Sequence, residues 1–482
     1  MKIHFILSLL AMLALGQATV SAFEQPVIQQ LTANDHIMVV GDSTTAAGSL
    51  GETATAKAAD APAAPAVSKD AWSGPYLEVP DWTDQMEKDW PDVRNFAKLG
   101  GKVYLSKQFP GMILWLPDLK EVRGVYWKLD RWNSRTPKPI LISHRFALLR
   151  GDTIGRSSVP LPRGQREPDD ALPKRMQALL DEFATMTGHP ELSNVPLFCA
   201  GIAQSTIPLW RLLEHWPARI LGVSSHSMGG WVPDFRKMEP SIRNIPAVYI
   251  FPSPDDGVRL DQRAPYLEGS RSAFAMGWEK KHHFSFGNFD LALPYFDQIV
   301  RLRYPAGHSL REGPPKLRDL AMESGCLVDT KSIRQTLAVS APFAEFKGDR
   351  TTAGWMPNAY MARLWQGFNN EKPLARIVKP GTASVDKNTK STSIGWVLVP
   401  VAANEPVTMV AEALSDTVTE IEFFDGDRSL GKGVGSGQTF TLEGARLPAG
   451  ARGVLARAKT KDGQEDWSRP ALVFVSGEIS RQ

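Results

Sequence analysis

Between Phe109 and about Pro305, apolar strands alternate with helical patterns, and this alternation constrains the chain more than any other feature. A strand followed by a helix and another strand needs a crossover, and repeated crossovers build a mostly parallel sheet flanked by helices. Strands are expected at Val122–Lys128, Arg219–Ser225, Ala247–Phe251 and Ser272–Trp278, and in the apolar run that opens at Val195. The expected fold class is therefore α/β. Within it, Val195–Ser205 followed by Ile207–Trp216 is the clearest unit: an apolar strand, a sharp turn and an amphipathic helix.

Composition changes divide the rest of the chain. At 482 residues it is long enough for about three domains at roughly 150 residues each. Residues 1–22 carry Lys2, the apolar run Phe5–Leu15 and the small residues Val20-Ser21-Ala22, the pattern of a secretory signal peptide cut after Ala22. A secreted or periplasmic location is expected. The run is shorter than the roughly 20 residues that cross a bilayer, so no membrane span is expected in the mature chain. Residues 23–108 hold a short strand and turn, Ile37–Thr45, and an Ala/Pro/Thr stretch, Thr53–Val67, which has too few bulky apolar residues to build a core. The main domain, 109–373, ends in a mixed helical tail. A polar linker, 374–392, precedes 393–482, where short strands at Val407–Glu412, Glu420–Phe424, Gly453–Ala458 and Ala471–Val475 alternate with turns such as Asp425-Gly426-Asp427. That spacing implies an all-β sandwich.

The segment around Gly201 resembles the nucleophile elbow of α/β-hydrolases, in which a strained turn presents a serine at the end of a strand within G-x-S-x-G. Gly188–Leu192, Trp216–Arg219, Leu291–Phe296, Arg301–Pro305 and Gly354–Asn358 also resemble bacterial esterases of this fold. Setting Gly201 on the first glycine puts Ala203 at the serine and Ser205 at the second glycine. The resemblance places the acid after the strand Ala247–Phe251, at Asp255 of the pair Asp255-Asp256, and the histidine after Ser272–Trp278, at His283 of the pair His282-His283. It implies acyl transfer through a serine, with Asp255 orienting His283. An alanine methyl cannot attack a carbonyl. Val418–Phe424, Leu430-Gly431 and Asp466–Ser468 resemble the immunoglobulin-like modules appended to secreted bacterial enzymes, which implies an accessory module.

Two serines compete for the nucleophile's role. Ser227 lies in His226-Ser227-Met228-Gly229-Gly230, a run common at hydrolase nucleophiles, but Trp231–Asp234 after it is a poor helix start. Ser43, in Gly41-Asp42-Ser43-Thr44, resembles the first block of GDSL (SGNH) esterases, and Asn95–Gly101 loosely resembles their second; the blocks that would supply the base are not found. The strand Val122–Lys128 is followed by Leu129–Asn133 and no His-Gly-Gly-Gly, so a glycine-lined oxyanion loop has little room there.

Charge and special residues narrow the ligand. Lysine plus arginine (55) nearly cancels aspartate plus glutamate (52), with no basic block interleaved with aromatics, so nucleic acid is not an expected partner. Neither HExxH nor CxxC occurs, and no metal or cofactor is expected. Cys199 and Cys326 could pair or stay as buried thiols. Of 14 tryptophans, Trp72, Trp82, Trp90, Trp132 and Trp231 fall in loop-like stretches where aromatic faces can stack on sugar rings, although most tryptophans are core residues. The expected activity is that of an exported esterase-like hydrolase for ester-decorated carbohydrate or small esters, put in doubt by Ala203. The alternatives are a catalytically inactive hydrolase-fold protein that binds a glycan or protein, and an SGNH-type esterase using Ser43. An alanine engineered into position 203 would read the same.

Overall fold

The apolar strands of the main domain assemble into one eight-stranded sheet, ordered β1-β2-β4-β3-β5-β6-β7-β8, in a computed structural model of the protein. The structure describes residues 101–109, 111–129, 138–151, 154, 170–202, 206–226, 233–251, 260–277, 289–334, 338–380 and 401–477. The strands are β1 (Lys102–Leu105), β2 (Ile113–Leu116), β3 (Gly124–Lys128), β4 (Phe146–Arg150), β5 (Leu197–Ile202), β6 (Ile220–His226), β7 (Ala247–Phe251) and β8 (Ser272–Met276). From β4 to β8 along the sheet every neighbour is parallel, and β1 and β2 form an antiparallel edge.

The connecting helices are α1 (Lys138–His144), α2 (Ala171–Thr187), α3 (Thr206–His215), α4 (Pro240–Arg243), α5 (Leu260–Arg263), α6 (Phe289–Arg303) and α7 (Ala359–Phe368). Right-handed crossovers assign their faces. The step from β3 to β4 runs one way along the sheet, and those from β4 to β5 and onward run the other, so α1 lies on the face opposite α2 and α3. α2 turns Leu172, Met176, Leu179, Leu180 and Phe183 inward and stops at Gly188, whose φ of 72° is the left-handed conformation of a helix C-cap. On the α1 face Phe296 of α6 sits among Tyr126, His144, Phe146 and Phe198, with ring centroids 4.9–5.4 Å away.

Beyond α6 the expected helical tail contains a three-stranded antiparallel sheet of β9 (Cys326–Asp329), β10 (Ser340–Pro342) and β11 (Ala353–Met356). Two boundaries also shift. Lys102–Leu105 joins the main sheet upstream of Phe109, and Ala375–Lys379, expected as linker, is β12, an edge strand. A half-exposed edge strand needs apolar residues on one side only, which hides it in a charged stretch. Cys199 and Cys326 are both buried free thiols, and burial pushes the Cys326 thiol up to about 11.

The C-terminal region is two sheets around a shared core. One comprises β12, β14 (Val407–Ala413), β18 (Thr439–Ala445) and β17 (Val434–Ser436). The other comprises β13 (Val401–Ala402), β21 (Ala471–Ser476), β19 (Gly450–Thr460), β15 (Val418–Asp425) and β16 (Arg428–Lys432), with β20 (Glu465–Trp467) beside β19. Met409, Ala411 and Phe440 of the first sheet meet Ile421, Phe423, Val454 and Val473 of the second. The outer face of the second sheet packs on α1, α6 and α7, so Phe424, Leu455, Trp467 and Phe474 belong to the core of the main domain. Polar groups seal this junction: the Gly453 amide donates to the Tyr360 hydroxyl (2.8 Å), and Asn370 Nδ2 donates to Asp466 Oδ1 (2.8 Å) and to the Trp467 carbonyl (2.7 Å). A Cβ at Gly367 would stand 2.5 Å from the Ser468 carbonyl oxygen, so this helix face can approach the sandwich only without a side chain.

Candidate functional site

Parallel strands end together, so the carboxyl edge of the sheet gathers residues far apart in the chain. Lys128 pairs with Arg150 on one side and Ala200 on the other; Ile202 pairs with His226, His226 with Ile250, and Phe251 with Met276. β3 and β5 are neighbours whose following helices, α1 and α3, lie on opposite faces. The chain therefore diverges between their carboxyl ends, the place where open α/β sheets hold ligands.

β5 closes at Ile202 and α3 opens at Thr206, leaving residues 203–205 as the whole connection. The local packing accounts for the glycine before it: a Cβ at Gly201 would lie 3.1 Å from Cγ2 of buried Thr206. Ala203, Ser227, Asp255, His283 and Ser43 themselves lie outside the described residues, as do Trp72, Trp82, Trp90, Trp132 and Trp231. The structure gives the strand ends that lead into four of these positions. Residue 203 follows Ile202 and residue 227 follows His226, while 255 comes after β7 and 283 between β8 and α6. The described tryptophans are mostly core: Trp115, Trp127, Trp355 and Trp365 are among the largest fully buried side chains.

Three residues at this edge were not singled out from the sequence. Lys128, Arg150 and His226 close β3, β4 and β6, and all are buried. Register places Lys128, Arg150, Ala200, Ser224 and His226 on one face. His226 Nε2 lies 2.9 Å from Ser224 Oγ, and burial, with the Lys128 charge adding to it, pushes the imidazole down to about 4. At neutral pH it is uncharged, a hydrogen-bonding group and a weak base. A polar residue closing an otherwise apolar strand, as in Gly-Val-Tyr-Trp-Lys, Phe-Ala-Leu-Leu-Arg and Ile-Leu-Gly-Val-Ser-Ser-His, is the sequence signal that marks all three.

Among the described residues, no three His, Cys, Asp or Glu side chains are grouped so as to hold a metal ion, and no helix is long and apolar enough to cross a membrane.

No protein-family model matches this chain, and no curated protein does. Among solved structures it is similar to a cold-adapted esterase from an Arctic intertidal metagenomic library, 13% identical over 36% of this chain and 77% of that one, with a TM-score of 0.21. It is also similar to the carboxylesterase CesB of Bacillus subtilis, 10% identical over 40% and 87%, TM-score 0.23. Fibronectin(III)-like modules of CbhA from Clostridium thermocellum match at 20% identity over 22% and 98%, TM-score 0.17. Scores this low carry no argument; the α/β architecture rests on strand order and register.

Proposed function

We propose that the main domain is an exported α/β-hydrolase-type esterase domain whose carboxyl-edge crevice takes a small ester or ester-decorated carbohydrate, with alanine at the nucleophile position. One observation supports this reading: β5 ends at Ile202 and α3 begins only four residues on at Thr206, with Gly201 close against Thr206, at the strand end where the sheet's connections diverge. In this reading Asp255 and His283, which follow β7 and β8, belong to the same edge and form the acid–histidine pair. Ala203 offers no nucleophile, so the domain holds its ligand without forming an acyl-enzyme. The C-terminal sandwich is its accessory module, immunoglobulin-like in type, and the N-terminal segment directs export with cleavage after Ala22.

Hydrolysis of short p-nitrophenyl esters tests the assignment. Wild-type turnover is expected near background, and Ala203→Ser is expected to raise it by a factor on the order of a hundred or more. Strong wild-type turnover that disappears in Ser43→Ala or Ser227→Ala would overturn it.

A further inference from the structure

The opposite, amino edge of the sheet carries a pocket that the proposed reaction does not use. Arg123 immediately precedes β3, Arg145 immediately precedes β4, and Arg301 and Tyr304 lie at the end of α6; together with His144 they line a cavity of about 50 Å3. One water needs roughly 10–15 Å3 on this measure, so the space fits a few waters or one small polyatomic ion, and not a sugar or a nucleobase.

Its charge is unbalanced. Arg301 donates to Asp297 at 2.8 Å, and Asp297 is shared with His144 at 2.7 Å. Arg123 and Arg145 share a single carboxylate, Glu121, at 3.5 and 3.6 Å, longer than charge-assisted hydrogen bonds run. The Tyr304 hydroxyl is buried and without a hydrogen-bond partner, an arrangement that costs stability unless something fills it. Arg145 adopts φ = 61°, the left-handed region where a long side chain is uncommon, and the Arg123 amide fixes it there by donating to the Arg145 carbonyl at 2.7 Å. Backbone strain is thus held in place beside two arginines, Arg123 and Arg145, that share one carboxylate, and strain of this kind clusters at ligand sites.

We propose that this pocket binds a small tetrahedral oxyanion of the phosphate type, either the free ion or the terminal phosphate of a phosphomonoester. Arg123 and Arg145 line it from two separate strand starts, beside the Arg301 that Asp297 already holds, and the planar forks of the first two match phosphate oxygens. Tyr304 lines the same cavity, and its buried hydroxyl is the nearby donor still without a partner. Because Arg301 also donates to the Ala449 carbonyl of the sandwich at 2.7 Å, the occupant would sit directly behind the junction of the two regions.

Phosphorus-31 NMR and calorimetric titration of the full chain with inorganic phosphate, at ionic strength held constant with sodium chloride, test the proposal. Saturable line broadening with a millimolar or tighter Kd is expected. Arg145→Gly is the decisive variant, since glycine suits the left-handed backbone and should fold at least as stably while losing tenfold or more in affinity. Arg123→Gln should lose as much and Tyr304→Phe a few-fold. Glucose 1-phosphate distinguishes the source: binding at least as tight as inorganic phosphate assigns a phosphomonoester, and binding of phosphate alone assigns the free ion. The proposal fails if wild type shows no saturable binding, the pocket then holding water only, or if Arg145→Gly binds phosphate with unchanged affinity.

Discussion

Every residue of β3, β4, β6, β7 and β8 in the main sheet is buried, whereas β14 alternates between buried and open positions and β16 is open along its length. Crossover helices cover both faces of a parallel sheet, while an antiparallel sheet needs only one face covered. The sandwich departs from its own rule at β19 and β21, which are buried nearly throughout. Their second face lies against α6 and α7, so the junction of the two regions is core and not a loose contact between a domain and its appendage.

The comparison is open to attack at several points, the largest effect coming first. Phe296→Ala removes the ring at the centre of the aromatic cluster under the parallel sheet and should cost about 3–5 kcal/mol in urea unfolding. A loss near 1 kcal/mol would show that this face is not the packed core that its burial implies. Asp297→Ala leaves His144 and Arg301 without their fully buried carboxylate, and breaking a buried pair in this way costs about 3–5 kcal/mol at most and less here, because the Arg301 side chain is partly exposed. Wild-type unfolding should show one calorimetric transition for sheet and sandwich together; two well-separated transitions would refute the shared core.

Acid should weaken the carboxyl edge at a pH set by His226. Its imidazole titrates at about 4 when folded and 6.5 otherwise, so the unfolded chain takes up the proton first. The stability contributed by the neutral form is complete above pH 6.5 and lost as pH falls towards 4, about 3 kcal/mol in all. Asp297 follows the same direction lower down. Burial raises its carboxyl, but the His144 hydrogen bond and the His144 and Arg301 charges outweigh this and hold it below 3.8, so its contribution is lost only beneath that value. His226→Gln should flatten the slope between pH 6.5 and 4, and an unchanged slope would place the titration elsewhere. At the junction, Asn370→Ala takes one partner each from Asp466 Oδ1 and the Trp467 carbonyl, while Asp466 Oδ2 keeps the Leu374 amide, and should cost about 1–3 kcal/mol. The smallest effect belongs to Val434→Thr at an 84% exposed position of the sandwich, within about 0.5 kcal/mol of wild type.

Much of the main sheet was legible because its strands are short, largely apolar runs between helices. Ala247–Phe251 was read at its observed bounds, and Arg219–Ser225 within one residue at each end. Lys102–Leu105 and Ala375–Lys379 were missed as strands because both are edge strands with exposed residues, and Cys326–Asp329 because four residues carry too little periodicity. Of the candidate site, the expected residues at 203, 255 and 283 lie outside the described residues, and Lys128, Arg150 and His226, which the structure places at the carboxyl edge, were not picked out as candidates.

The sequence by itself determined where five parallel strands of the α/β domain and four strands of the sandwich run, and that alanine stands at position 203 after the apolar run that opens at Val195. Those properties are local, because side-chain periodicity follows the backbone repeat. Only the tertiary structure decided that Lys128 and His226 share an edge, that Arg123 and Arg145 meet over Glu121, and that the sandwich completes the core of its neighbour. A charged residue ending an apolar strand looks the same in the sequence whether it meets solvent or another charge. Strand order and register alone bring such distant residues together.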